Sequence, residues 1–501
     1  MSSSNDSRIS RRTPMKTQNE IQRDIDKAKS KKTLTIVILV CVAILALALI
    51  FINTGLFYRS ATAVTVGDRQ FSIADFNYYY KTAFNNTYNS IYSTYGNYAS
   101  YILDASKPLD QQKYNSDMTW EEYFSQVAVS KMRTVVMLNK LAAEDEGFSL
   151  TDEQQQAVNA LGDIPAAYAK AYKLSTGKYL RNLYGKGVNK SLYIKNATEM
   201  YIADAYTQYL KDNYDYSDAD IEAYYTANTR KFDTVTYAAY LIRATTGDGI
   251  DAEKALENAR EAAQLIADSS DSLDALKTNI GEYEKTNGTT VAASNGNYSS
   301  EDTLDESYAD WLCDPSRVSG DITVIESKDK TGYYVVYFDS VDDRDYPSAK
   351  IRQILVSAAS GDDGSYSDEA LKAAHDKAEE LLAEWQSGEK TEESFQKLYT
   401  DRSSEERISS TVIDMIYHGA TGVDDVETWA LEADRQPGDV TLVDTSYGTH
   451  LLYYISARDN ARKALVTSAK ADEDYSKWVE SNIESYPAII NKLGYYFTRN
   501  V

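Results

Sequence analysis

The side chains best suited to chemistry near neutral pH are few: His375, His418 and His450, and, past an apolar run near the N-terminus, the single cysteine Cys313. Three scattered histidines and one thiol do not give the closely spaced ligand set that zinc requires, so no metal is expected. Asp362-Asp363-Gly364 lacks the later ligands and closing glutamate of a calcium loop, and the acids between 212 and 220 suit helix capping better. No Ser-His-Asp order, nucleophile elbow or glycine-rich phosphate loop is present, and no cofactor is implied. His375 falls on an expected helix facing solvent, and His418 lies in an irregular stretch. Cys313 reads as a buried apolar residue.

The elements that would position such residues begin with composition. At 501 residues the chain allows about three domains, and 43% apolar residues supply several cores. Residues 1–32 hold nine basic and four acidic side chains, a net of +5; the chain total is −24, so the remainder carries −29. Such a polyanion repels phosphate backbones, which excludes nucleic acid as a partner. Residues 34–52 contain no charge, and the basic flank before them sets the orientation expected of a membrane span. The expected organisation is a cytoplasmic tail at 1–32, an uncleaved transmembrane helix at 33–53, and the bulk of the chain outside, on the cell membrane of a bacterium.

Beyond the apolar run, residues 64–71 alternate about a Gly67-Asp68 turn and predict a hairpin. Ser72 with Asp75, Thr151 with Gln154 and Ser217 with Asp220 have capping-box spacing. Trp120, Phe124, Val127, Val135, Leu138, Leu141 and Ala142 recur at helical spacing, predicting a helix over 120–144. Residues 72–230 thus read as mostly helical, with interruptions near Gly177, Gly185 and Gly187, and strands start at 235–242.

An internal repeat follows. The stretch 311–325 recurs at 429–443, with Trp311/Trp429, Arg317/Arg435, Gly320/Gly438 and Asp321/Asp439 all offset by 118. Upstream, 237–242 pairs with 351–356, and each copy ends in an apolar strand, 333–338 or 449–455. Each unit reads strand, helix (252–267; 369–386), variable middle, a helix from Trp to Arg, then strand: two tandem α+β domains.

The second copy resembles the parvulin-type prolyl isomerases. The residues that carry the likeness are the opening strand 351–356, Gly388 with Ser394-Phe395, the 399–404 loop, Pro437-Gly438-Asp439, and Tyr447-Gly448-Thr449-His450-Leu451-Leu452. The helical part is similar to SurA- and PrsA-like foldases, whose chaperone lobe is completed by a C-terminal helix, here 472–485. The resemblance implies an α+β chain with a single transmembrane helix, a helical lobe at 64–230, a degenerate parvulin-like domain at 232–342, a parvulin-like domain at 346–458 and a C-terminal helical segment at 459–501. It implies that His450, Asp401 and Gln353 form the catalytic network, with Gln353 where the family carries its first histidine. Val426, Trp429 and Leu452 would line the peptide pocket. His450 alternatively reads as a core strand histidine held by a hydrogen bond. In the first copy Ala239 and Tyr334 replace the two histidines. The implied role is an extracytoplasmic foldase acting on unfolded or newly exported polypeptides, with prolyl isomerase activity in the second copy; a non-catalytic chaperone or an envelope interaction protein is the alternative. The 42 tyrosines suit either gripping extended peptides or half-buried packing. No oligomeric state follows.

Overall fold

The computed structural model describes residues 18–247, 249–299, 304–361, 364–402 and 405–498. The first half of the basic tail, Asp362-Asp363 and the Ser403-Ser404 step lie outside the described residues. The chain is α+β and divides into two compact units, residues 1–213 with 475–501, and residues 214–474.

In the first unit the apolar run forms part of α1 (Gln18–Asn53), one continuous helix that also takes in the charged stretch before it. The transmembrane helix expected at 33–53 is corrected: among the described residues, no helix is long and apolar enough to cross a membrane.

Gly67, at φ +55°, turns β1 (Thr62–Val66) into the antiparallel β2 (Arg69–Ser72), and the terminal strand Ala488–Ile490 pairs with the other side of β1. Ser72 then opens α2 (Ile73–Tyr95) with the capping box that its spacing predicts. Its backbone N–H donates to Asp75 Oδ2 at 2.9 Å, and Asp75 N donates to Ser72 Oγ at 3.1 Å. The boxes at Thr151 and Ser217 also form. Because Ser72 and Asp75 are buried, Ser72→Ala leaves the first-turn donors without water to replace the cap. A loss of about 1–2 kcal/mol is expected, read as a lower urea midpoint for the first unit.

Helix α3 (Trp120–Glu144) runs over the bounds its periodicity predicts, and α4 (Lys190–Asp212) closes the bundle. Phe71, Phe76, Tyr79, Phe124, Met132 and Leu138 form the centre of this core. Gly187 has φ +90°, and a Cβ there would meet Tyr58 Cβ at 2.6 Å and Ala74 Cβ at 2.8 Å. Gly177 does not break a helix; it sits in the first turn of Thr176–Tyr184. Arg133 on α3 donates to the carbonyls of Ile483 and Tyr486, both at 2.7 Å, which fastens the C-terminal segment to the bundle.

The second unit holds two four-stranded antiparallel sheets. The first contains β3 (Thr234–Arg243), β4 (Ala292–Ser299), β5 (Ile322–Glu326) and β6 (Gly332–Asp342), in the order β4-β3-β6-β5. The second contains β7 (Pro347–Ser357), β8 (Ile408–Ile416), β9 (Val440–Thr445) and β10 (Gly448–Asn460), in the order β8-β7-β10-β9. The two orders are the same topology. Helices α5 (Ala252–Asp268) and α6 (Leu273–Asn287) cover one face of the first sheet, and α7 (Asp368–Ser387) and α8 (Glu392–Thr400) one face of the second.

The recurrent Trp, Arg, Gly and Asp build a clip. Arg317 lies 4.9 Å over Trp311 and 3.2 Å from Asp321; Arg435 lies 4.3 Å over Trp429 and 3.6 Å from Asp439. Gly320 and Gly438 share φ +97°, and their N–H groups donate to Phe338 O and Tyr454 O at 3.0 and 2.9 Å. The motif recurs because the fold needs this corner. The stretch from Trp to Arg is therefore a turn, not the expected helix: the helical parts are only Ala309–Leu312 and α9 (Asp424–Leu431). The C-terminal helix begins at Ala461, straight after β10, rather than at 472, and ends at Ile483.

Candidate functional site

Strands β7 and β10 pair with His450 opposite Leu355 and Leu452 opposite Gln353. Side chains alternate along a strand, so His450, Leu452, Gln353 and Leu355 share one sheet face, with His450 and Gln353 as diagonal neighbours. His450 Nδ1 is 3.1 Å from Gln353 Oε1, and Nε2 is 3.1 Å from Tyr447 Oη. An amide oxygen only accepts, so Nδ1 carries the proton and donates to it, while Nε2 accepts the Tyr447 hydroxyl proton. The tyrosine ring also meets the imidazole edge-on at 5.6 Å. His450 is 3% exposed, and burial lowers its pKa below the ordinary 6.5, so at neutral pH the imidazole is uncharged.

Helix α9 covers this face. Val426 and Ala430 are buried against Leu452 and Tyr454, with Trp429 half-buried beside them under Arg435. Val426, Trp429 and Leu452 thus pack in one cluster with the sheet. At the start of α9 the buried Glu427 accepts from Gly419 N at 2.7 Å, Thr421 N at 2.6 Å, Thr421 Oγ1 at 2.8 Å and Gly422 N at 3.1 Å. This carboxylate pins the loop that leads into α9.

Asp401 is not brought to the network. It follows α8, whose Phe395 and Leu398 pack with Leu451 and Tyr453 on the opposite sheet face, and it is exposed. Both imidazole nitrogens of His450 already have other partners. Two residues that the sequence reading did not assign to the site are Tyr447 and Glu427. Tyr447 stands three residues before His450 across a Gly448 turn, a signal present in the sequence; Glu427 is one acid among several at the start of α9, and only its burial distinguishes it.

The first copy shows the same register with different contents. Leu241 faces Tyr334 and Ala239 faces Val336, so Ala239 and Tyr334 occupy the places of Gln353 and His450. Tyr308, 1% exposed, takes the place of Val426 and packs its ring against Tyr237 at 5.5 Å and Tyr334 at 5.0 Å. Tyr334 donates its hydroxyl to Asp305 at 3.0 Å. Aromatic rings fill the space over Ala239, and no histidine remains.

His375 and His450 titrate in opposite directions. The hydrogen bond to Asp444 is the largest influence on His375 and, with the charges of Asp444 and Glu379, raises it above 6.5 against the desolvation of burial. Its contribution to stability is present below 6.5 and is lost as pH rises through its raised folded value. His450, lowered by burial, contributes stability above 6.5 that is lost as pH falls below 6.5, where the unfolded chain takes up the proton first. An NMR titration of the histidine ring protons is expected to place His375 above 6.5 and His450 below it; the reverse order would refute this electrostatic account.

No family model matches the chain, and no curated protein matches it. Among solved structures, the chain is similar to the peptidylprolyl isomerase PrsA of Bacillus anthracis at 12% identity, covering 43% of this chain and 79% of that one, with a TM-score of 0.20. A SurA-like chaperone of Campylobacter jejuni, from work on PEB4 and Cj1289, matches at 15% identity over 42% of this chain and 78% of that one, TM-score 0.16. PrsA of Bacillus subtilis matches at 16% identity over 46% and 78% of the two chains, TM-score 0.14.

Proposed function

We propose that this protein is a foldase for unfolded or newly exported polypeptides, and that its second repeat accelerates prolyl cis–trans isomerisation at the His450–Gln353–Tyr447 network. The barrier to be lowered is rotation about an imide, about 18–20 kcal/mol, with no bond to make or break. A neutral imidazole with both nitrogens in hydrogen bonds is a fixed set of dipoles in a low-dielectric setting, able to favour a twisted, polarised amide without proton transfer. The observation that carries the reading is this network, built by Gln353 and His450 at the two strand positions where parvulin-type enzymes are expected to hold theirs. A location outside the cytoplasm is part of the proposal and rests on the same resemblance.

A second reading is favoured by one observation. With His450 3% exposed and Leu452 buried beneath Val426 of α9, a proline ring reaches the network only if α9 and its loop move aside. A chaperone whose two repeats are non-catalytic needs no such movement.

The deciding experiment measures cis–trans exchange in a panel of Xaa-Pro peptides with the full chain. His450→Ala is expected to lower the catalysed rate about tenfold or more, whereas Asp401→Ala leaves it within about twofold. No acceleration by the unmodified chain across the panel would eliminate the isomerase and leave the non-catalytic chaperone. That reading in turn requires suppressed aggregation of several unrelated unfolded proteins.

A further inference from the structure

We propose that His375 and Asp444 are positioning residues for the second repeat: their bridge holds the β9–β10 turn in the place that sets the Tyr447 hydroxyl on His450. The proposal rests on reading the His450 network as a functional site. Asp444 and Thr449 face each other across the β9–β10 ladder. Asp444 Oδ1 accepts from Thr449 Oγ1 at 2.6 Å and from His375 Nδ1, on α7, at 2.8 Å. The turn between them is tied further: Thr445 Oγ1 donates to Gly448 O at 2.8 Å, and Ala358 N donates to Tyr447 O at 2.9 Å. Thr449 and His450 are successive residues and point to opposite faces of the sheet. One short hairpin therefore carries a hydrogen bond to α7 on one face and the Tyr447–His450 bond on the other.

Protonation enters through His375. The charged groups acting on it are Asp444 from β9 and Glu379 from its own helix, the latter 3.5 Å from Nε2. Its bridge to Asp444 is an ion pair when the ring is charged and an ordinary hydrogen bond when it is neutral, so the turn is held more firmly on the acid side of the His375 titration. His450 faces the neutral partners Gln353 and Tyr447, and its burial favours the uncharged ring.

The test reads the tautomer of His450 in the full chain with 15N-labelled histidine, where three histidines give resolvable imidazole signals. In the unmodified protein the Nδ1–H form dominates. Tyr447→Phe is expected to lower the ratio of Nδ1–H to Nε2–H about tenfold, and His375→Ala and Asp444→Ala each about threefold at pH 6, the equilibrium worth of a modest hydrogen bond. His375→Gln, whose amide can donate to Asp444, restores most of the ratio. In the unmodified protein the ratio falls as pH rises through the His375 titration, and His375→Ala abolishes that dependence. A changed ratio in Tyr447→Phe with no change in His375→Ala would overturn the positioning proposal and leave the network standing. No change even in Tyr447→Phe would remove the network and both proposals with it. Should Asp444→Ala unfold the domain, the half-exposed His375 carries the test by itself.

Discussion

Gly448→Ala is expected to cost the second repeat about 4 kcal/mol, near the upper end for a single substitution. The residue sits at φ +154°, and a Cβ there would stand 2.3 Å from Val356 O and 2.9 Å from Ser357 Cα. Both obstacles are backbone, so no side chain can turn away to make room. Gly448 opposite Ser357 is also the first pair of the β7–β10 ladder, and the Tyr447 and His450 positions hang on either side of it. Separating the strands enough to admit a methyl group pulls Tyr447 away from His450 as well as weakening the sheet. Gly438 supplies the control. It has φ +97° but its nearest obstacle is Tyr453 Oη at 3.9 Å, so Gly438→Ala meets only the backbone penalty, about 1–2 kcal/mol. Hydrogen exchange of the β7 and β10 amides measures both. Equal loss of protection in the two variants would show that the close approach at Val356 is relieved more cheaply than its geometry implies.

Glu427→Ala is expected to cost about 3 kcal/mol, because it leaves four donors around a 1% exposed position without their acceptor. Three of them are backbone amides, of Gly419, Thr421 and Gly422, and their direction is set by the loop itself. Glu427→Gln is expected to lose about 2 kcal/mol, since one oxygen still accepts while the new amide group faces donors. The measurement is amide protection at the same three residues. Protection that survives in Glu427→Ala would mean that the loop is held by the α9 packing rather than by the carboxylate. If the loop is released, α9 loses its anchor over the His450 face. The substitution then separates the two functional readings: an isomerase that must open this face retains or gains activity per folded molecule, and a non-catalytic chaperone shows none.

What could be read from the residues alone were features whose cause lies within a few positions along the chain. Ser72 and Asp75, Thr151 and Gln154, and Ser217 and Asp220 form their caps because each pair closes on backbone groups three residues apart. The helix at 120–144 and the opening hairpin follow from period and turn chemistry in the same way. The repeat was legible because the Trp–Arg–Gly–Asp clip demands those residue types wherever the corner is built, and the shared strand order 2-1-4-3 is its consequence in space. The apolar run was legible as a helix, while the inference from it to a membrane span did not hold: among the described residues no helix is long and apolar enough to cross a membrane.

The tertiary structure decided what depends on strand register and on contacts distant in sequence. The edge strands β4 and β8 carry Ser-, Asn- and Gly-containing stretches with little alternation, and they become strands because β3 and β7 offer them unpaired backbone groups. Asp401 lies close in sequence to helix α8, and only the side of the sheet on which α8 packs separates it from His450. Gln353 meets His450 across 97 positions through a ladder register that the whole length of β7 and β10 determines, and His375 meets Asp444 across 69 because α7 packs on the sheet beside β9. A local sequence signal specifies the conformation of its own backbone; which side chains share a face is settled by cooperative pairing of entire strands, and it is that pairing which assembled His450, Gln353 and Tyr447 into one site.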